Sequence, residues 1–109
     1  MLPLLLLIAT LGRFTAVSGF DFDIEGNLYV VDREASMLVK YSPGGDSLLA
    51  VSGRGNDQLQ FDNPVSVYAR RGTDIYVADH VNHRIQRFDH NLDYVSTLYT
   101  REDSDERKR

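Results

Sequence analysis

Leu28-Tyr29-Val30-Val31-Asp32 is answered by Ile75-Tyr76-Val77-Ala78-Asp79, and this pair of stretches decides how the chain is read. The register continues without a gap. Met37-Leu38-Val39-Lys40-Tyr41 lies on Arg84-Ile85-Gln86-Arg87-Phe88, and Asp46 lies on Asp93, so the offset from 32 to 79 is a constant 47 residues. A fixed period of this size is the mark of a stacked supersecondary unit that buries its apolar face only against a neighbour.

From Val17 onward the apolar residues recur with period two, and the punctuation is that of tight turns. Strands are expected over Val17 to Asp23, Asn27 to Asp32, Met37 to Ser42 and Ser47 to Ser52 in the first unit. The second unit repeats them over Val65 to Arg70, Asp74 to Asp79, Arg84 to Asp89 and Val95 to Tyr99. Four short consecutive strands make an up-and-down antiparallel sheet, and β-branched and aromatic residues fill them as such a sheet requires. The fold class is therefore all-β: two four-stranded antiparallel β-propeller blades, at about 17–52 and 65–99.

Between the blades runs Gly53 to Asn63, a polar, glycine-bearing crossing that ends at Pro64, where a strand can begin without its ladder donor. The crossing with Gln58-Leu59-Gln60-Phe61-Asp62-Asn63-Pro64, followed by Ile75-Tyr76-Val77-Ala78-Asp79 and then Asn82, Arg84, Ile85 and Phe88, resembles the NHL repeat. The first unit keeps Tyr29, Val30, Asp32 and Tyr41 but carries Ala35 and Met37 where Asn and Arg stand in the pattern. The resemblance implies an incomplete propeller of the six-bladed NHL type. It also implies that Asp32, Asp79, Arg84 and Pro64 are structural framework. Two blades do not close a ring, so three readings stand side by side: a longer protein or truncated product, completion by association with other copies or a partner, or a small sandwich. Self-association that completes a ring is expected if the outer faces of both blades are bare.

Composition narrows the function. The chain has 109 residues, 42% hydrophobic and 26% charged, with 12 basic and 16 acidic residues. Because Thr100 to Arg109 holds four of each sign, the blades carry the acidic excess, which argues against nucleic acid as a partner. With no cysteine, neither a disulfide framework nor a thiolate metal site is available. Leu2 to Leu11 is apolar apart from Thr10, too short to span a bilayer yet the length of a signal h-region, with Ala16-Val17-Ser18 as a cleavage site. Residues 1–18 thus read as an export leader and 100–109 as a charged tail or the start of another crossing. Export to the periplasm or extracellular space is expected. The alternative is a cytoplasmic chain whose apolar start is a strand or an upstream misassigned codon.

No reaction is spelled out. His80, His83 and His90 invite a metal reading, but a strand of about 20 Å separates the turn of the first two from the turn of the third. There is no Gly-x-Ser-x-Gly elbow, and Gly53-Arg54-Gly55 lacks the βαβ setting of a dinucleotide site. No catalytic residue, metal or cofactor is assigned. The topology gathers the second turn of each blade and the crossing at one end, so Arg33, Glu34, Arg54, Asn56, Asp57, Gln58, His80, Asn82 and His83 form the expected binding face. A mixed-charge face of this kind suits a protein, peptide or glycan. The rival expectation is part of an enzyme of the amidating-lyase or lactonase kind, with ligands drawn from other blades.

Overall fold

The computed structural model describes residues 14–71 and 73–100. Most of the apolar leader (1–13) and nearly all of the charged tail (101–109) lie outside the described residues. Eight strands form: β1 (Val17–Phe22), β2 (Leu28–Asp32), β3 (Met37–Tyr41), β4 (Ser47–Ser52), β5 (Pro64–Tyr68), β6 (Asp74–Asp79), β7 (Arg84–Asp89) and β8 (Tyr94–Tyr99). They make two antiparallel sheets, each in the order of its sequence. Strand ends differ from expectation by a residue or two because Asp23, Asn27 and Ser42 are spent on turns.

The repeat reaches the irregularities. The step between Val17 and Gly19 recurs between Pro64 and Ser66, and the one between Lys40 and Tyr41 recurs between Arg87 and Phe88. Ser36 and His83, 47 residues apart, both adopt positive φ (54° and 51°). The turn after β6 therefore puts its left-handed residue at His83, while its neighbour Asn82 uses its amide group to bond the Gly55 carbonyl and Asp79.

The register also extends upstream of Val17. Phe14 sits edge-on to Tyr41 at 6.3 Å, as Phe61 sits on Phe88 at 6.1 Å. The Thr15 amide donates to Asp32 as the Asp62 amide donates to Asp79, and Arg33 N reaches Ala16 O as His80 N reaches Asn63 O. Phe14 to Ser18 thus belong to the first blade, and a cut after Ser18 would remove its entry segment.

One face of each sheet meets the other. Tyr29, Val31, Leu38 and Val51 of the first pack with Phe61, Ile75, Val77, Phe88 and Leu92 of the second. At the inner edge β1 runs against β5 so closely that a Cβ on Gly19 would stand 3.1 Å from the Ser66 Cα, and the Ser18 hydroxyl donates to the Pro64 carbonyl at 2.7 Å. Asp21 accepts from the Ala69 amide (2.8 Å), and Lys40 Nζ donates to the His90 carbonyl (2.7 Å). In β6 and β7 buried and half-buried residues alternate, leaving one face of the second sheet open. The first sheet differs from expectation. Every residue of β2 is buried, and Leu28, Val30, Val39 and Tyr41 form a second cluster with Phe14 and Met37 packed against it.

Asp23 anchors the β1–β2 turn, taking the amides of Glu25 and Asn27, the Asn27 side chain and the Tyr29 hydroxyl. Burial alone would raise its pKa, but these hydrogen bonds outweigh burial and hold the carboxyl below its ordinary range. Burial, then the Asp23 hydrogen bond and charge, raises the Tyr29 phenol.

Two outcomes follow from this arrangement. A chain starting at Gly19 should be about 2–4 kcal/mol less stable in urea than one starting at Phe14, because it loses an aromatic contact and leaves Asp32 short of two donors; equal midpoints would contradict the upstream register. The lowered Asp23 pKa stabilises the fold above the unfolded value of about 4 and is lost as pH falls through the folded value, while the raised Tyr29 pKa stabilises below about 10 and is lost above it. Urea melts across pH should therefore weaken at both limits, and Asp23→Asn should flatten the acid limb; an unchanged acid limb would reject this role for Asp23.

Candidate binding face

β6 ends at Asp79 and β7 begins at Arg84, opposite each other in the ladder. Their side chains are 0% and 4% exposed and meet at 2.9 Å. A guanidinium removed from water needs all its donors satisfied. Beyond the Nε bond to Asp79, Arg84 places three of its four remaining donors on the crossing: Nη1 donates to Asn56 O (2.7 Å), and Nη2 donates to Asp57 O and Gln60 O (both 2.9 Å). Asn82 Nδ2 adds Gly55 O at 2.8 Å while also bonding Asp79. Gln86, wholly buried, donates to Gln60 O and accepts from the Leu59 amide. With the Asp62 amide donating to Asp79 at 2.7 Å, the crossing is thus held from beneath by four side chains.

Asp32 does comparable work with different donors. Ala35 and Met37 stand where Asn82 and Arg84 stand, so the carboxylate takes four backbone amides, those of Thr15, Ala16, Glu34 and Ala35. Pro64 opens β5, fully buried, and gives its carbonyl to Ser18.

The crossing lies over both turns. Arg54 Nη2 donates to Glu34 O at 3.0 Å, Gly53 N to Ser36 O, and Val81 N to Asp62 O. Of the expected face, Arg33, Glu34, Arg54, Asn56, Asp57, Gln58 and His80 are exposed at this end, whereas Asn82 and His83 are half-buried. Asn56 and Asp57 give carbonyls inward and keep their side chains outward. Sequence reasoning missed Leu59 and Val81, 43% and 47% exposed on the same end, although each is an isolated apolar residue in a polar segment. It also missed Gln86, a polar residue at an inward position between Arg84 and Phe88.

The His80 and His83 rings stand edge to face at 6.5 Å, with His90 beyond the far end of β7. Among the described residues no three His, Cys, Asp or Glu side chains are grouped to share an ion, and no helix is long and apolar enough to cross a membrane.

No protein-family model and no curated protein matches the sequence. Solved structures do. A protein of unknown function from Bacteroides caccae matches with a TM-score of 0.58 at 19% identity, over 76% of this chain and 28% of its own. Virginiamycin B lyase from Staphylococcus aureus matches at 0.61 and 9% identity, over 81% and 28%. KlHsv2 with loop 6CD replaced by a Gly-Ser linker matches at 0.55 and 8%, over 77% and 26%. The chain thus spans little more than a quarter of the structures it matches. At these identities the likeness is one of fold, and the chain is built as two blades of the β-propeller type.

Proposed function

We propose that the chain is a two-blade part of an NHL-type propeller that acts as a non-enzymatic binding module, taking a protein, peptide or glycan on the face formed by the crossing and the two turns. The observation that carries this reading is the division of labour at that face. Asp79, Asn82, Arg84 and Gln86 hold the crossing from beneath, while Arg33, Glu34, Arg54, Gln58 and His80 point charges of both signs and neutral donors outward. Leu59 and Val81 supply apolar contact beside them. A surface already ordered before binding spends little free energy on ordering when it binds.

The acidic balance of the blades argues against a phosphate backbone as ligand. The Leu-rich leader supports action outside the cytoplasm. The enzyme reading, with ligands contributed by other blades, draws its support from the lyase among the fold neighbours, a likeness at 9% identity.

Peptide and glycan arrays probed with the full chain test the proposal. A ligand should be retained, and Glu34→Ala, Arg54→Ala or His80→Ala should weaken it about tenfold, or about 1.4 kcal/mol, with an unchanged melting midpoint. Arg84→Ala should instead lower stability by about 3–5 kcal/mol by leaving Asp79 buried without its partner. Face variants that bind like the parent chain, or binding losses that track stability alone, would reject the assignment.

A further inference from the structure

Leu59 stands in a conformation that its side chain does not suit. Its φ is 67°, and Gln60 N closes a four-residue turn on Asp57 O at 3.2 Å with Leu59 in third place, where glycine or asparagine ordinarily meets the demand for positive φ. The 47-residue offset puts Gly12 at the same place in the sequence. Among the described residues one other large apolar side chain has positive φ: Leu92, at 61° against 94° for its equivalent Gly45. Leu92 is 5% exposed and packs in the core between the sheets, and that burial offsets the crowding. Leu59 is 43% exposed, and no comparable burial offsets it. Its conformation is imposed from beneath, where the wholly buried Gln86 side chain accepts from Leu59 N at 3.2 Å and donates to Gln60 O at 2.7 Å.

We propose that Leu59 is the anchor residue of the binding face and that the ligand is a polypeptide segment in which an apolar side chain lies beside a basic one. This rests on the reading of that end of the molecule as a binding face and narrows its ligand. Leu59 lines a concavity of about 400 Å³ together with Leu49, Val51 and Leu92, between β4 and the turn that joins β7 to β8. A space of that size admits an aliphatic or aromatic side chain. Leu49 is 37% exposed, so leucines of the first sheet and of the crossing are both open to it. Asp93, exposed, is the charged residue among those that line the concavity. Lys40, which reaches the same turn from β3, is buried and gives its ammonium to the His90 carbonyl. The rim is left with a carboxylate, and a Lys or Arg next to the apolar residue of the ligand is its complement.

A sugar is a poorer match. Among the described residues no aromatic ring lines this concavity, so the platform on which a sugar ring stacks is missing. Aliphatic walls and one carboxylate fit a pair of neighbouring peptide side chains instead. A leucine presented by a loop that is already ordered binds with little further ordering, and covering it accounts for a tenfold or larger share of affinity, about 1.4 kcal/mol or more.

The probe is an array of short synthetic peptides with Leu, Phe, Ser or Glu at a central position and Lys or Glu beside it, overlaid with the full chain and its variants, with a glycan array run in parallel. Peptides with central Leu or Phe beside Lys should be retained at least about tenfold better than those with Ser at the centre or Glu alongside. Leu59→Asn, which suits positive φ but is polar, should lower that retention at least about tenfold while the urea midpoint holds or rises. Leu59→Met, apolar and adaptable, should keep retention within about threefold. A midpoint lowered by Leu59→Asn would overturn the proposal in favour of a packing role. Retention unchanged in Leu59→Asn but weakened by Glu34→Ala and Arg54→Ala would overturn the anchor and leave the binding face standing, whereas retention indifferent to all of these variants would reject the face as well. Retention of glycans without peptides, or of neither, would overturn the proposal, and a mass that doubles with concentration and reverts in Leu59→Asn would overturn it in favour of a second copy of the chain.

Discussion

The Arg84 guanidinium is the constraint around which the second blade and the crossing are arranged. A cation at 4% exposure is tolerated only when its donors are met, and one carboxylate does not meet them. Asp79 takes Nε; the carbonyls of Asn56, Asp57 and Gln60 take three more donors. Because these three carbonyls come from a segment with no strand of its own, satisfying the charge and shaping the crossing are the same event. The outward side chains of that segment are ordered as a by-product, which is how a buried framework pair shapes an exposed surface through the backbone carbonyls beneath it.

The two units reach the same backbone path by different chemistry. In the first, no arginine or asparagine helps the carboxylate, and Asp32 instead gathers amides from its own turn and from the Thr15-Ala16 entry. Val39 replaces Gln86, Tyr41 replaces Phe88, and the sheet is buried on both faces of β2. The second unit keeps a clean alternation, with one face spent on the first sheet and the other left half-covered. The repeat is thus constant in register and unequal in burial.

Much of this was legible in the residues. Tyr-Val-x-Asp ending β2 and β6 carried the strands, the turns and the offset, since in β6 a one-residue slip would have turned Val77 out of the core. The gathering of Arg33, Arg54 and His80 at one end followed from counting antiparallel strands. Less legible was the start of the first blade. Phe14 and Phe61 are equivalent, but Phe14 follows a leucine-rich run whose apolar character masks the register. The identity of the left-handed residue was equally hidden, because His83 and Asn82 both tolerate the turn and only the demand of Gly55 O on the Asn82 amide separates them. Gln86 went unnoticed because alternation marks a position as inward without saying what a polar group there will bond.

Amide hydrogen exchange of the crossing in Arg84→Lys tests the central claim, that this guanidinium shapes the face. The amides of Gly55, Gln60 and Phe61 bond within the crossing and report its order. Lysine keeps the charge beside Asp79 but cannot span three carbonyls from a planar fork. The account predicts that these three amides lose protection while those of β2 and β3 keep theirs. Unchanged protection across the crossing would show that it holds its shape without Arg84, and would contradict the account.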